Sequence, residues 1–273
     1  MLRISKISFP GLGIGEFEVD SVAFSIGDFE IAWYALIITF GIICAVSYTM
    51  WRAKQVNVTV DDIIDFALFV VPSGIIGARL YYVIFNGRHD TFAEIINIRE
   101  GGLAIYGGII AGALAVFCVS LVKKIPFVVV GDCCTPGIIL AQAIGRWGNF
   151  MNGEAFGAET DVFCGMGLNN SLTGWDYTVV HPTFLYESLW NLIGFALINV
   201  FYRHRKYDGQ IILLVFGWYG LGRMLIEGLR SDSLYIGDIR VSQLLAGIVL
   251  VACVAVLIWF AVKPPKKELY VKP

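Results

Sequence analysis

The sequence predicts an all-α polytopic membrane protein. It has seven transmembrane helices, an N-terminal interfacial arm and a small external cap between spans four and five. Three observations predict this. Of 273 residues, 57% are hydrophobic and only 15% charged, and mean hydropathy is +0.72, whereas about a quarter of an ordinary soluble domain is charged. Three stretches, 31–51, 101–122 and 241–262, contain no charge at all and exceed the ~18 residues a spanning helix needs. Four more apolar runs, at about 62–85, 127–151, 182–202 and 209–229, are interrupted by polar residues. The uninterrupted spans can face lipid; the interrupted ones must turn their polar groups inward, because charge in lipid is the costlier option.

Residues 1–30 contain Pro10, several glycines and acidic residues rather than the short apolar core of a cleavable signal. They read as an arm lying at the interface. Orientation follows from loop charge. One side holds Arg52, Lys54, Lys123, Lys124, Arg203, Arg205, Lys206, Lys263, Lys266, Lys267 and Lys272; the other holds Arg3, Lys6, Arg88, Arg99, Arg230 and Arg240. The excess puts the C-terminus in the cytoplasm and the N-terminus outside. Arg79, Arg146 and Arg223 fall within interrupted spans. The longest loop, 152–181, has no Lys or Arg and carries Glu154, Glu159, Asp161 and Asp176. It is external by the charge count and long enough for a folded cap. Residues 263–273 form a basic cytoplasmic tail. No repeat or internal boundary divides the chain, so 1–273 reads as one membrane domain.

Cys44, Cys118, Cys133, Cys134 and Cys253 lie in spans, where a thiol behaves as a small apolar group. Cys164 alone sits in a long loop. Neither CxxC nor Cys/His spacing occurs, which argues for no metal. Net charge is −2 with basic residues scattered among short loops, which argues for no nucleic acid partner.

The stretch 145–157, GRWGNFMNGEAFG, ends an apolar run with Arg146, Asn149, Asn152 and Glu154. An arginine at the centre of a span costs roughly 2.5–3.5 kcal/mol on insertion scales, so it must face protein, water or an anion. On a helix, Arg146, Asn149 and Asn152 share a face, offering a guanidinium fork and amides to a phosphate at the membrane boundary. Trp33 and Tyr34 open the first span, where an aromatic belt is the simpler reading. Arg79, Tyr82 and Asn86 form one polar stripe. Gly107, Gly108 and Gly112 give GxxxG spacing, suited to close helix packing or to a lipid. Tyr106 lies just inside the same helix. In WYGLGRMLIEGLRSD, Tyr219, Arg223 and Glu227 recur every four residues, followed by Arg230 and Asp232. Arg223 and Glu227 form an internal ion pair on one reading. On the other, arginines from two spans bind a bidentate anion such as a phosphodiester. HPTFLYES opens the fifth span, with His181 before Pro182 at a helix start; this histidine is a base, a cap or a surface residue. Glu187 lies deeper and needs a partner, plausibly an arginine.

GGLAIYGG, GRWGNFMNGEAFG, HPTFLYES and YGLGRMLIEGLRSD resemble, in order, the signatures of the bacterial phosphatidylglycerol–prolipoprotein diacylglyceryl transferases. The likeness runs between Tyr34 and Asp232. It implies seven spans in the bacterial plasma membrane with an active site toward the outer face. It also implies transfer of the diacylglyceryl group of phosphatidylglycerol to the lipobox cysteine of a prelipoprotein, with glycerol-1-phosphate leaving and no cofactor needed. By motif position, Arg146 and Arg223 correspond to the family's essential arginines, and Asn149, Glu154, Gly157, Tyr219 and Glu227 to other important positions. Asn152, Tyr34 and His181 join them as candidate substrate contacts. Many members carry histidine where this chain has Tyr106. A neutral phenol is a poor base at neutral pH, since phenols ionise near pH ~10. Either Tyr106 only positions the phosphate, or His181 or Glu154 takes the thiol proton. Two other readings stand beside the transferase: an organic-anion transporter and a lipid-binding relative without activity.

Overall fold

The computed structural model describes every residue except 1–3, 28, 87–90, 98–100, 175, 232–234, 238, 266–268 and 272–273. The side chains of residues 29, 86, 92, 93, 236 and 239 are likewise outside the description. Arg3, Arg88, Arg99, Asp232, Lys266, Lys267, Lys272 and the side chain of Asn86 therefore fall outside it.

Eight helices are described: α1 (Trp33–Ala53), α2 (Val60–Asn86), the short α3 (Phe92–Ile96), α4 (Ile105–Lys123), α5 (Phe127–Asn152), α6 (Thr183–Tyr202), α7 (Gln210–Ile226) and α8 (Val241–Val262). All but α3 are long and apolar enough to span a bilayer, so the chain is a polytopic, mainly helical membrane protein. The division between lipid-facing and inward-facing spans is visible in burial for six of the seven. Only 11% of the span window is buried in each of α1, α4 and α8, against 56% in α5, 33% in α6 and 39% in α7; α2, although interrupted, is buried over only 17%. The uninterrupted runs can leave apolar side chains exposed because lipid is as apolar as they are. The runs bearing arginine, glutamate or asparagine collect the protein's own partners.

The helix ends follow from local chemistry. Thr59 and Asp62 bond each other's backbone N–H at 3.1 Å in both directions, a reciprocal cap that starts α2. Lys124 closes α4 in the left-handed region at φ 57. Pro182 caps α6 without needing an N–H of its own.

The N-terminal arm folds as β-structure. It consists of strands β1 (Ile4–Phe9), β2 (Ile14–Asp20), β3 (Val22–Ile26) and β4 (Phe29–Ala32), and the loop after α5 contributes β5 (Met166–Asn169) and β6 (Thr178–Val180). Two short strands, β7 (Tyr235–Ile236) and β8 (Ile239–Arg240), precede α8. β1 is central to a four-stranded antiparallel sheet of order β2-β1-β5-β6. Ile7 pairs with Phe17 on one side and Leu168 on the other. The sheet brings together segments more than 150 residues apart, and its inward residues Ile7, Val19, Met166, Leu168 and Val180 form a core with Phe184 of α6. Phe150 and Met151, near the end of α5, pack against that core.

The chain packs as two compact units, Met1–Ala45 with Thr135–Glu268, and Val46–Cys134 with Leu269–Pro273. In the second unit α2 and α4 meet through small residues. A Cβ on Gly107 would lie 2.2 Å from the Gly77 carbonyl oxygen, and one on Gly77 would lie 2.2 Å from Ala111 Cβ. The GxxxG stretch is thus a close packing seam. Arg79 spends its guanidinium on the carbonyls of Glu94, Ile95, Gly101 and Gly102, at 2.5–3.0 Å. It tethers the segment leading into α4.

Candidate active site

In the first unit, three helices deliver charge to one point. α5 brings Arg146, α6 brings Glu187, and α7 brings Arg223; Glu227 and Arg230 follow in and after the 3-10 turn Glu227–Leu229. Glu187 Oε2 accepts from Arg146 Nη2 at 2.5 Å, and its Oε1 faces Arg223 Nη1 at 3.0 Å and Arg230 Nη1 at 3.3 Å. Glu227 Oε2 takes Arg223 Nη2 at 2.8 Å and lies 3.9 Å from Arg230 Nε. Arg240 donates to the Glu227 backbone carbonyl. Glu187 and Glu227 are 5% and 1% exposed. A buried carboxylate is tolerated only when paired, and here each has more than one guanidinium. Among the described residues of this cluster, three guanidinium groups face two carboxylates, with the Glu154 carboxylate one amide away.

The register of α6 and α7 that aligns these charges is set by two tryptophans. Trp190 and Trp218 stack with ring centroids 4.4 Å apart. Each indole N–H donates to the other's backbone carbonyl, at 3.0 and 2.9 Å. Each ring lies over a glycine of the opposite helix: a Cβ on Gly194 or on Gly222 would come within 2.2 Å of the facing indole nitrogen. Gly222 immediately precedes Arg223, so this contact fixes the guanidinium's starting point.

Beside the charges runs a chain of amides. Arg146 Nη1 donates to Asn149 Oδ1 at 3.4 Å, and the Glu154 carboxylate accepts from Asn149 at 3.2 Å and Asn152 at 3.0 Å. This follows from how α5 ends. Gly153 at φ 61 turns the chain left-handed, with Gly153 N–H bonded to Phe150 O and Glu154 N–H to Asn149 O, the pairing that closes a helix at glycine. Glu154 is thereby folded back over the last turn. Among the described residues Arg146 pairs with Glu187, and Glu154 takes amides. Both amides lie within five residues of it, whereas Glu187 comes from another helix.

Tyr34 packs its ring on Gly148, where a Cβ would lie 2.8 Å from Tyr34 Cδ2. Gly157 is wedged between two segments, with a Cβ there 2.6 Å from His181 Cβ and 2.7 Å from the Leu229 carbonyl oxygen. Its N–H bonds the His181 carbonyl at 2.9 Å, and it bridges to Arg230. His181 Nδ1 lies 3.3 Å from the Tyr186 hydroxyl, which in turn lies 3.4 Å from Cys164 Sγ. Tyr219 is half-buried one turn before Arg223. Tyr106, in the first turn of α4, is exposed and belongs to the second unit. Sequence reasoning left Glu187 and Arg230 out of the site. For Glu187 the available signal was a glutamate buried in an apolar run. Arg230 carried no such signal, because in sequence it resembles an ordinary charge at the end of a span.

Forked donors from separate helices suit an oxyanion with two accepting oxygens. Comparisons with known proteins agree on one family. Residues 21–259 match the family described as prolipoprotein diacylglyceryl transferase. The chain is 41% identical over 230 residues to the phosphatidylglycerol–prolipoprotein diacylglyceryl transferase of Clostridioides difficile (strain 630), covering 84% of this chain and 90% of that one. It is 43% identical over 253 residues to the protein so named from Clostridium kluyveri, covering 88% and 96% of the two chains. With the phosphatidylglycerol–prolipoprotein diacylglyceryl transferase 1 of Clostridium perfringens it shares 42% identity over 268 residues, covering 93% and 100%.

Proposed function

The chain belongs to the prolipoprotein diacylglyceryl transferase family, and from that premise we propose that it moves the diacylglyceryl group of phosphatidylglycerol onto the lipobox cysteine thiol of prelipoproteins. This is the first step of lipoprotein maturation. The acceptor sulfur attacks the diacylglyceryl carbon that carries the phosphate ester. A C–S bond forms, the C–O bond to phosphate breaks, and glycerol-1-phosphate leaves. The thiolate is the better nucleophile, and a positive field favours it. Because the nucleophile belongs to the acceptor, none of this chain's cysteines is required to react.

The observation that carries this reading is the convergence of Arg146 and Arg223, from different helices, on the single buried carboxylate of Glu187. In the reaction, negative charge grows on the departing phosphate oxygen. Guanidinium groups already held in place stabilise that charge without reorganising, which is where such electrostatic catalysis is strongest. Glu187 and Glu227 keep the forks aimed and prevent their mutual repulsion. Asn149 and Tyr219 contact the headgroup, with Asn152, Tyr34 and His181 around it. Gly157 leaves room where a side chain would clash. The thiol proton passes to His181 or Glu154. The site faces the outer leaflet, with the N-terminus outside and the C-terminal tail in the cytoplasm, as the loop charges argue.

The test is to incubate purified protein with phosphatidylglycerol and a lipobox peptide. The expected result is a peptide mass gain of one diacylglyceryl group with release of glycerol phosphate. Passage of labelled organic anion into proteoliposomes without lipid consumption, and with no change in peptide mass, would replace the transferase reading with a transporter.

A further inference from the structure

The loop that presents Glu154 is held by two buried side chains that none of the roles above uses. Ala155 sits at φ 57, a left-handed conformation that residues with a Cβ adopt at a cost. Such strain persists only where the surroundings over-determine it, and it gathers at functional sites. Here the restraints are visible on both flanks of Glu154. The carbonyl before it, of Gly153, accepts from Asn170 Nδ2 at 2.8 Å. The carbonyl after it, of Ala155, accepts from Thr183 Oγ1 at 2.5 Å. Asn170 and Thr183 are both 0% exposed.

Each restraint is itself anchored. Asn170 also donates to Ser5 Oγ of β1 at 3.2 Å, and its Oδ1 accepts the N–H groups of Leu172 and Thr173 at 2.9 and 3.2 Å. Thr183 is the first residue of α6, one turn before Glu187 on the same helix face. One flank is therefore tied to the sheet and the other to the helix that gathers the arginines.

We propose that Asn170 and Thr183 are positioning residues for diacylglyceryl transfer, clamping the peptide groups on either side of Glu154 against the left-handed strain at Ala155. The inference rests on the transferase reading. Losing either clamp lets Ala155 relax to negative φ, rotates the intervening peptides, and withdraws the Glu154 carboxylate from Asn149 and Asn152. Asn149 then no longer holds its carboxamide toward Arg146. Displacements of this kind, about 1 Å, can cost a reaction ~100-fold in rate.

The experiment measures kcat and peptide KM with phosphatidylglycerol vesicles for Thr183→Val, Thr183→Ser, Asn170→Asp, Ala155→Gly and each loss variant combined with Ala155→Gly. Thr183→Val and Asn170→Asp should each lose about 100-fold in kcat while KM barely moves. Thr183→Ser, which keeps the hydroxyl, should stay close to wild type, as should Ala155→Gly. Adding Ala155→Gly should restore kcat about ten-fold in either loss variant, because glycine holds positive φ without a clamp. A loss variant with wild-type kcat, or a loss that Ala155→Gly does not relieve, overturns the inference. Should one loss variant not fold, the other carries the same comparison. Amide exchange at residues 153–157 in detergent gives an independent readout: faster exchange in Thr183→Val supports the clamp, and unchanged exchange overturns it. Wild-type protein without transfer would end the transferase reading, while the exchange comparison would still decide the clamp.

Discussion

Glu187 is the residue on which the charged cluster turns, since Arg146, Arg223 and Arg230 all reach its carboxylate. Glu187→Gln keeps the shape and removes the charge. It leaves three partly buried guanidinium groups short of a counter-charge; breaking a fully buried pair costs about 3–5 kcal/mol, and partial exposure to solvent reduces that cost. The variant is expected to melt far earlier than wild type in detergent, with transfer lost, by a thermal-shift measurement beside the peptide assay. Arg146→Lys and Arg223→Lys should insert and fold yet transfer at no more than about a hundredth of the normal rate, because a lysine cannot reproduce the planar fork; near-normal transfer by either would remove that arginine from the proposed chemistry. Retained transfer by Tyr106→Phe in the peptide assay would exclude the phenol as a base. Arg146 and Arg223 were legible from sequence because an arginine in an apolar run demands a reason. That Glu187 and not Glu154 pairs Arg146 was not legible, since it depends on which helix lies beside which.

At the scale of elements, the seven spans could be read directly: twenty or so apolar residues leave a chain few alternatives to a helix in lipid. Their inward or outward assignment could be read for α5, α6 and α7 from the polar residues that interrupt them, but not for α2, which is interrupted and yet only 17% buried over its span window. The seam between α6 and α7 could not. Trp190 and Gly194, and Trp218 and Gly222, repeat one spacing on two helices, and only the packed pair shows each ring lying on the other helix's glycine. Gly222→Ala drives a methyl into the Trp190 indole. Overpacking of that kind costs about 1–3 kcal/mol, and here it would also displace Arg223. The expected outcome is a lowered melting temperature and a larger loss of transfer than Gly247→Ala on α8 produces, where a Cβ would meet nothing nearer than Met224 Sδ at 3.7 Å. The sheet shared by the arm and the loop after α5 escaped a reading based on apolar runs, because β1 finds its partner β5 more than 150 residues away.

At the scale of the whole molecule, the proposed topology rests on loop charge and can be checked in intact cells. A tag at the N-terminus should be reached by an impermeant reagent, and one at the C-terminus only after the membrane is opened; the reverse pattern would move the proposed site to the inner face. Removing residues 4–20 takes β1 and β2 from the sheet, uncovers Leu168 and deletes the Ser5 bond to Asn170. Transfer should fall with the spans still inserted, as fractionation and the peptide assay would report. The sequence by itself determined the class of protein, the number and character of its spans, the family and the pair of intramembrane arginines. Each of these follows from local hydropathy, or from a motif whose residues are near one another in the chain. Only the tertiary structure decided the charge partners, the tryptophan seam, the shared sheet and the clamp around Glu154. Those are contacts between distant segments, and burial makes them obligatory: a polar group removed from water must find its partner wherever packing places one.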